Sequence, residues 1–271
     1  MQEHCSLLCA IISLMSATSI RARVRAEMTA EIKAAARRHL ETEGANLSLR
    51  AVARDMGMVS SALYRYFASR DELLTALIID GYNALGDATE AADAAVAERT
   101  DLRSRWLASA RAIRGWALAK PAEYALLFGS PVPGYAAPQD TIAAALRTPA
   151  VLVGILADGF AAGALPAPGS PSPGWPGLNR GAPGRNAQSA SAGWPATQLA
   201  DALRADLARA RDQISPGLPE GLLLLGMTSW LQLFGIVSFE LFGQLNNVID
   251  ARADFFDQQM GLMSDLIGLD Q

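Results

Sequence analysis

Residues 48–72 constrain the fold more than any other part of the chain, because strong helix start and stop signals fall there at close spacing. Ser48 precedes the first helical run and can accept a hydrogen bond from the free amides at its start. Gly57 suits the left-handed turn that ends this run, and a second run follows over residues 60–67. A short helix, a tight glycine turn and another short helix are typical of a helix-turn-helix, here over residues 48–67.

The next helix begins with a capping box. Ser69 can accept a hydrogen bond from the amide of Glu72, and the Glu72 carboxylate can reach back to the helix start. Four arginines and one acid lie between residues 49 and 70, although the whole chain has a net charge of −4. The sequence therefore predicts a local basic face on this small unit, suited to a polyanionic partner.

The rest of the chain consists of alanine-rich and leucine-rich helical patterns, without an alternating strand pattern of useful length. We therefore predict an all-α protein with a three-helix N-terminal domain over residues 21–80 and a larger helical domain over residues 81–271. Residues 163–198 contain 7 glycines, 7 prolines and 4 serines and no acid, so we predict a flexible insertion within the second domain.

Residues 1–20 differ from the body of the chain. The stretch 6–20 is uncharged but too short to span a bilayer as a helix, and no basic segment precedes it. We interpret residues 1–20 as a disordered extension, or as an artefact of the assigned start codon, with translation beginning at Met15 or Met28 instead. An export or anchor segment is the remaining alternative.

Two residue types are too scarce for most catalytic sites. The chain has two histidines and two cysteines, and both cysteines lie within the first ten residues. A histidine general base, a histidine-rich metal site and a disulfide framework are therefore excluded as organising features of the folded body. No phosphate-binding glycine loop or nucleophile motif occurs either. We expect no enzyme, no metal, no cofactor and a reducing, cytoplasmic location.

The segment LSLRAVARDMGMVSSALYRYFASRDELL, residues 47–74, resembles the N-terminal DNA-binding domain of TetR-family transcriptional regulators. The resemblance covers about residues 22–80, and its most specific part runs from Leu63 to Leu74. Val59 stands where the family often has Ser or Thr, and Tyr66 stands where His is commonest. We expect Ser60 to take over the capping role of the replaced residue.

The resemblance implies that the second helix of the motif enters the major groove of a double-stranded DNA operator. Arg65 is the residue able to pair bidentately with guanine, whereas tyrosine hydroxyls and Arg70 would bind phosphates. The alternatives are that Tyr64 and Tyr66 pack in the core and that Arg50 and Arg65 are solvated surface charges. The predicted DNA-binding residues are Ser48, Arg50, Ser60, Ser61, Ala62, Tyr64, Arg65, Tyr66 and Arg70.

Residues 103–165 and the later run WLQLFGIVSFELFG resemble the C-terminal WHG domain of one TetR subgroup, with Phe234 in place of the histidine. This resemblance implies a site for a small-molecule effector, not identified by the sequence, and dimerisation through the last long helices. Ligand sites are mostly apolar, so aromatic residues are the candidates, with ordinary core packing as the alternative. They are Trp106, Trp116, Tyr124, Phe128, Tyr135, Trp230 and Phe234.

Residues 222–239 form an uncharged run of 18 residues. Its length permits a membrane span, but scattered polar residues and flanks without basic clusters favour a helix buried in a homodimer. The full interpretation is a cytoplasmic homodimeric repressor that binds a palindromic operator and is released by its effector. An activator with the same DNA-binding domain and a membrane-associated sensor are the alternatives.

Overall fold

The computed structural model describes residues 2–165 and 200–269, with side chains from residue 20 onward. These residues form α-helices joined by turns and one short 3₁₀-helix, Gln139–Thr141, and they contain no strand, so the predicted all-α fold is confirmed. The helices are α1 Gln2–Glu43, α2 Leu49–Asp55, α3 Ser60–Leu63, α4 Arg70–Ala94, α5 Leu102–Ala119, α6 Pro121–Phe128, α7 Ile142–Ala145, α8 Arg147–Ala161, α9 Asp201–Ile214, α10 Glu220–Leu241 and α11 Arg252–Ile267.

The chain divides into two compact units. Unit 1 consists of residues 1–80 and 122–138, and unit 2 consists of residues 81–121 and 139–271. The segment 122–138 therefore differs from the sequence-based assignment, which put it in the C-terminal domain. Its apolar side chains, Leu126 and Val132 among them, pack against the core of unit 1, and no local signal reveals such a distant contact.

Helix α1 extends through residues 2–20, where the sequence analysis expects a disordered or mis-assigned extension. The absence of glycine and proline from the first 43 residues is compatible with this helical backbone, and the expectation of a disordered extension stays a prediction. The alternative of a start assigned too far upstream stays a prediction. The predicted insertion lies outside the described residues from residue 166 to its end at 198.

Unit 1 is built around side chains from α1, α2, α3 and α4. Ile32, Val52 and Leu63 are completely buried, and Phe67 is 4% exposed. Ala53 has no exposed surface, as expected for a small residue where a second helix crosses closely. Truncating a buried phenylalanine such as Phe67 to alanine costs about 3–5 kcal/mol, so these contacts dominate the stability of the unit.

Ion pairs reinforce unit 1 along α1. Lys33 Nζ lies 2.7 Å from an Asp80 carboxylate oxygen, and Arg37 Nη2 lies 2.6 Å from the same oxygen. The Arg37 Nε also lies 3.5 Å from Glu123 on α6. Because these side chains are partly exposed, each pair contributes about 1 kcal/mol or less.

Unit 2 has its own core, in which Trp106 and Phe256 are at most 1% exposed. The Trp106 indole donates a hydrogen bond of 3.1 Å to the backbone carbonyl of Met260 and so joins α5 to α11. Arg114 donates two hydrogen bonds, of 2.8 and 2.6 Å, to the carboxylate of Glu240. This paired geometry joins α5 to α10.

A second charged cluster in unit 2 surrounds the buried guanidinium of Arg105. Arg105 Nε donates to Asp93 over 2.7 Å, and Nη1 donates to Asp158 over 2.8 Å. Burial by itself raises the pKa of Asp93, but hydrogen bonds and charge from Arg105 and Arg99 outweigh it and hold that pKa below its ordinary value. Asp93 therefore stabilises unit 2 only while it is ionised.

Helix α10 leaves much of its apolar surface uncovered within one chain. Over the described residues, it is the single unbroken helix with the length and hydropathy of a membrane span, and 39% of its apolar window is buried. The exposed fractions are 64% for Leu231, 55% for Phe239 and 46% for the capping residue Phe242. These three residues share one side of the helix, because Phe239 and Phe242 follow Leu231 at rotations of about 80° and about 20° from whole turns.

Candidate nucleic-acid interface and effector site

The helix-turn-helix is fixed by local hydrogen bonds that its sequence specifies. The Ser48 hydroxyl accepts a hydrogen bond of 3.4 Å from the Ala51 amide and so caps α2. Gly57 has a φ of +65°, which a residue with a Cβ rarely adopts. The amide of Met58 then donates to the carbonyl of Ala53 over 2.8 Å, and the chain turns directly into α3.

The start of α3 differs from the expectation that Ser60 caps it. Val59 is the N-cap residue and no side chain bonds the free amides there, whereas Ser60 is already the first helical residue. The predicted capping role of Ser60 is therefore wrong, because the residue lies one position too late. The helix is also shorter than residues 60–67, since residues 64–66 form turns after Leu63.

Side-chain exposure divides this segment into an inner and an outer set. Leu63 and Phe67 are buried in the core of unit 1, and Tyr66 is half-buried against the same core. Tyr64 is 44% exposed, and Arg65 and Ser61 are also exposed. The outer set therefore offers one guanidinium and two hydroxyls to a partner. Ser60 and Ala62 are half-buried beside it.

Arg25, which is not among the residues predicted from the sequence, supports the end of this segment. Its Nη2 donates a hydrogen bond of 3.1 Å to the backbone carbonyl of Arg65. Its guanidinium carbon also lies 5.3 Å from the centre of the Tyr66 ring, within the range of a cation–π contact. Arg25 precedes the core residue Ile32 by seven positions, or two helical turns, and this spacing could have placed both on one face of α1.

Arg70 has a structural role that the sequence analysis did not predict. Its Nε donates over 3.0 Å to the carbonyl of Leu47, and its Nη2 donates over 2.5 Å to the carbonyl of Ala45. The guanidinium thus holds the turn that leads into α2. Its predicted contact with a DNA phosphate stays a prediction.

Exposed arginines accompany the helix-turn-helix in the folded unit. The carboxylate of Asp55 lies 2.9 Å from the guanidinium of Arg38, so part of its negative charge is compensated within the unit. Arg50, at the first turn of α2, and Arg54 are exposed. Together with Arg65, they provide three exposed positive charges between residues 50 and 65, against the single acid Asp55, and a local excess of this sign attracts nucleic acid.

Unit 2 contains an apolar cavity of about 160 Å³ between α5, α8, α9 and α10. Trp106 and Trp230, two of the seven predicted ligand residues, line it. The leucines of α8, together with Ala210 and Ile214 of α9, complete much of the wall and were missed because aliphatic residues give no signal distinct from ordinary core.

The other five predicted ligand residues do not line this cavity. Tyr124, Phe128 and Tyr135 belong to unit 1, where the Tyr135 hydroxyl lies 2.9 Å from that of Thr75. Trp116 is buried in unit 2, and Phe234 contacts the ring of Trp230 edge-on at 5.6 Å. Contact of these five residues with a ligand stays a prediction, because aromatic residues were chosen for their type, and type alone does not distinguish a cavity wall from a core.

Comparison with protein families gives two matches. Residues 32–77 match the family described as bacterial regulatory proteins, tetR family, and residues 106–263 match the tetracyclin repressor-like C-terminal domain. The chain belongs to the TetR family. The TetR resemblance of the helix-turn-helix sequence is thereby confirmed, whereas the narrower WHG assignment of the second domain stays a prediction.

Individual relatives agree with TetR membership. The HTH-type transcriptional regulators Rv1816 of Mycobacterium tuberculosis and Mb1846 of Mycobacterium bovis are 49% identical to the chain over 145 residues. The match covers 53% of this chain and 60% of each relative, so it spans less than two thirds of their length.

Solved structures agree as well. The regulatory protein SCO4313 is 32% identical, with a TM-score of 0.66 over 89% of this chain and 97% of its own. A TetR-family structure from Rhodococcus RHA1, at 15% identity and a TM-score of 0.53, covers 88% of this chain and 96% of its own and shares the fold.

Proposed function

We propose that the protein is a cytoplasmic, homodimeric transcriptional regulator that binds a palindromic DNA operator as a repressor and leaves it when a small molecule binds unit 2. The observation that carries this proposal is the capped helix-turn-helix with exposed Tyr64 and Arg65 on a basic face. Membership of the TetR family also supports a role in regulating transcription.

Within the proposed complex, α3 and the turns after it lie in the major groove. Arg65 reads a guanine through its paired donors, and the hydroxyls of Ser60 and Ser61 contact neighbouring base edges or phosphates. Tyr64 and Arg50 bind phosphates and set the register of the protein on the duplex. Arg25 acts through its contacts with the Arg65 carbonyl and the Tyr66 ring, and it holds the segment in position.

The dimer is proposed to form through α10. Leu231, Phe239 and Phe242 form an exposed apolar stripe on this helix, and a second copy of the same stripe would cover it in a two-fold arrangement. Two helix-turn-helix units related in this way can bind successive major grooves if they lie about 34–36 Å apart, or a multiple of that distance. A palindromic operator follows from the same symmetry.

Release requires an effector that binds more tightly to the dimer state with mismatched helix-turn-helix spacing than to the operator-bound state. A coupling free energy of about 1–3 kcal/mol would lower operator affinity about 5- to 150-fold. The proposed effector site is the cavity lined by Trp106 and Trp230.

The test is a footprint of the full chain on the DNA that flanks its own gene, at several salt concentrations. We expect a two-fold symmetric protected site whose affinity falls steeply with salt, because phosphate contacts release counterions. The Tyr64→Ala/Arg65→Ala double variant should fold normally, since both side chains are exposed, and should lose protection. The Arg204→Ala variant is the matched control, because Arg204 is an exposed arginine of α9, in unit 2. Absence of protection at every salt concentration would contradict the proposal.

A membrane-associated sensor is the second candidate, favoured by the mean hydropathy of 1.8 in α10. Cell fractionation distinguishes the two. Recovery in a salt-resistant membrane pellet would support the sensor and contradict the cytoplasmic location. An activator would give the same footprint, but a reporter gene would show less transcription when the regulator is deleted, whereas a repressor predicts more.

A further inference from the structure

The cavity in unit 2 has a wall made almost entirely of hydrocarbon. Its twelve lining residues come from α5, α8, α9 and α10 and from Leu146, which directly precedes α8. Within the described part of the chain, this wall contains no charged, hydroxyl or amide side chain, and the surface that faces the cavity is almost wholly apolar. A polar or ionised group inside would lose its hydrogen bonds with water and gain no partner in exchange, which is unfavourable.

Two contacts restrict how far the wall can move. Trp106 is completely buried, and its indole N–H donates a hydrogen bond of 3.1 Å to the backbone carbonyl of Met260. Gly226 also belongs to the wall, and a Cβ at this position would lie only 2.7 Å from the Leu156 side chain. Helices α8 and α10 are therefore already in close contact beside the cavity, and the cavity limits the size of an occupant.

The volume of the cavity is about 160 Å³. This is about ten times the space that one water molecule needs, but an apolar cavity of similar size stays dry and binds benzene. Side chains around such a space lack contact partners on their inner side, and a molecule of matching shape restores those contacts. One six-membered ring with a short substituent fits this volume, whereas a polycyclic molecule or a long acyl chain requires the wall to move.

We infer that the effector is a compact, uncharged and wholly apolar molecule, about the size of one ring with a short substituent, which fills this cavity and forms no hydrogen bond with its wall. This inference rests on the proposed function, because it treats the cavity as the effector site. The binding free energy comes from the burial of apolar surface, and a polar substituent lowers the affinity instead of raising it.

The first test compares toluene with phenol, which has the same number of non-hydrogen atoms and carries a hydroxyl in place of the methyl group. Calorimetry with the full chain, in the absence of DNA, measures the affinity of each. We expect toluene to bind at least about tenfold more tightly than phenol, because the phenol hydroxyl gives up its hydrogen bonds with water on entering the cavity.

A variant that fills the cavity shows where toluene binds. Ala210 is part of the wall, so Ala210→Phe places a ring in the space and should abolish toluene binding. Ala205→Phe is the matched control, because Ala205 lies on the same helix, is exposed and is outside the wall. The control variant should bind toluene like the unmodified chain.

A variant that enlarges the cavity tests the size limit. Leu152 lines the cavity and is 4% exposed, whereas Leu222 is 5% exposed and lies outside the wall. Leu152→Ala should raise the affinity for naphthalene relative to toluene at least about tenfold, because the second ring then finds space to bury its apolar surface. Leu222→Ala also removes a buried leucine side chain but should leave this ratio unchanged.

Phenol that binds as tightly as toluene would overturn the inference, as would toluene binding that persists in Ala210→Phe. Failure of toluene to bind the unmodified chain would also overturn it. In the footprint, saturating toluene should abolish operator protection, and protection that persists would show that this molecular class is not the effector. Absence of protection without any ligand contradicts the proposed function instead, while the calorimetry still decides which molecules the cavity accepts.

Discussion

Variants of Arg70 can distinguish a structural role of this residue from a contact with DNA. Its guanidinium donates hydrogen bonds to the carbonyls of Leu47 and Ala45, in the turn that leads into α2. A hydrogen bond from a charged donor contributes about 1.5–3 kcal/mol when buried, so two such bonds have an upper limit of about 6 kcal/mol. The Arg70 side chain is 32% exposed, and water can replace part of what is lost. We therefore expect Arg70→Ala to lower the free energy of unfolding by about 2 kcal/mol.

Arg70→Lys distinguishes the two roles, since lysine keeps the charge but lacks the planar pair of donors. If the main role of Arg70 is to hold the turn before α2, the Arg70→Lys variant should be destabilised almost as much as Arg70→Ala. The slope of DNA affinity against salt concentration should then stay unchanged. Urea unfolding measured at a constant m-value gives the stability, and Arg54→Ala serves as the exposed control. An Arg70→Ala variant with unchanged stability, or full recovery of stability in Arg70→Lys, would refute this reasoning.

Three further predictions concern other parts of the molecule. Arg65→Ala should relax the preference at one operator position by about 1–3 kcal/mol, measured by binding to single-base variants of the operator. Leu231→Glu should place a charge in the apolar stripe of α10 and give a monomer on a sizing column, with its helix content retained. The pKa of Asp93 is lowered in the folded chain, so its contribution to stability is present at neutral pH and is lost as the pH falls below about 4. Urea unfolding at a series of pH values should show this loss, and Asp93→Asn should reduce it.

Each of these has a contrary outcome. Uniform binding loss of Arg65→Ala across all operator variants would assign that residue to phosphate contact. A dimeric Leu231→Glu variant would move the interface away from this side of α10. An unchanged acid dependence in Asp93→Asn would mean that other carboxylates control the stability of unit 2 at low pH.

The sequence predicts those parts of the helix-turn-helix that depend on neighbouring residues. Ser48, Gly57 and the Ser69 capping box act through hydrogen bonds and backbone angles within a few positions, so their residue types are informative. In the folded capping box, the amide of Glu72 donates to the hydroxyl of Ser69, as the sequence predicts, but the Glu72 carboxylate accepts from Ala68. That difference of one residue is typical of helix ends.

The features that sequence reasoning missed depend on distant parts of the chain. Arg25 contacts residues 65 and 66, which are 40 and 41 positions away, and Arg70 contacts carbonyls 23 and 25 positions away. The aromatic residues of α6 belong to unit 1 for the same reason. Only the folded chain brings such partners together, because helical periodicity specifies which side of a helix is apolar and not what will cover that side.

The two-part composition of unit 1 also affects the order in which the protein can fold during synthesis. Residues 122–138 cover part of the core formed by residues before 80, and the ribosome makes them only after the 41 residues of unit 2 between these segments. Until then, the nascent helix-turn-helix lacks part of its apolar cover and depends on α1 to α4 alone. Contacts between segments that are far apart in the sequence form slowly, so unit 1 folds slowly. A partly folded intermediate is meanwhile exposed to chaperones or to association with other chains. Completion of unit 1 therefore waits until about half of the chain has left the ribosome.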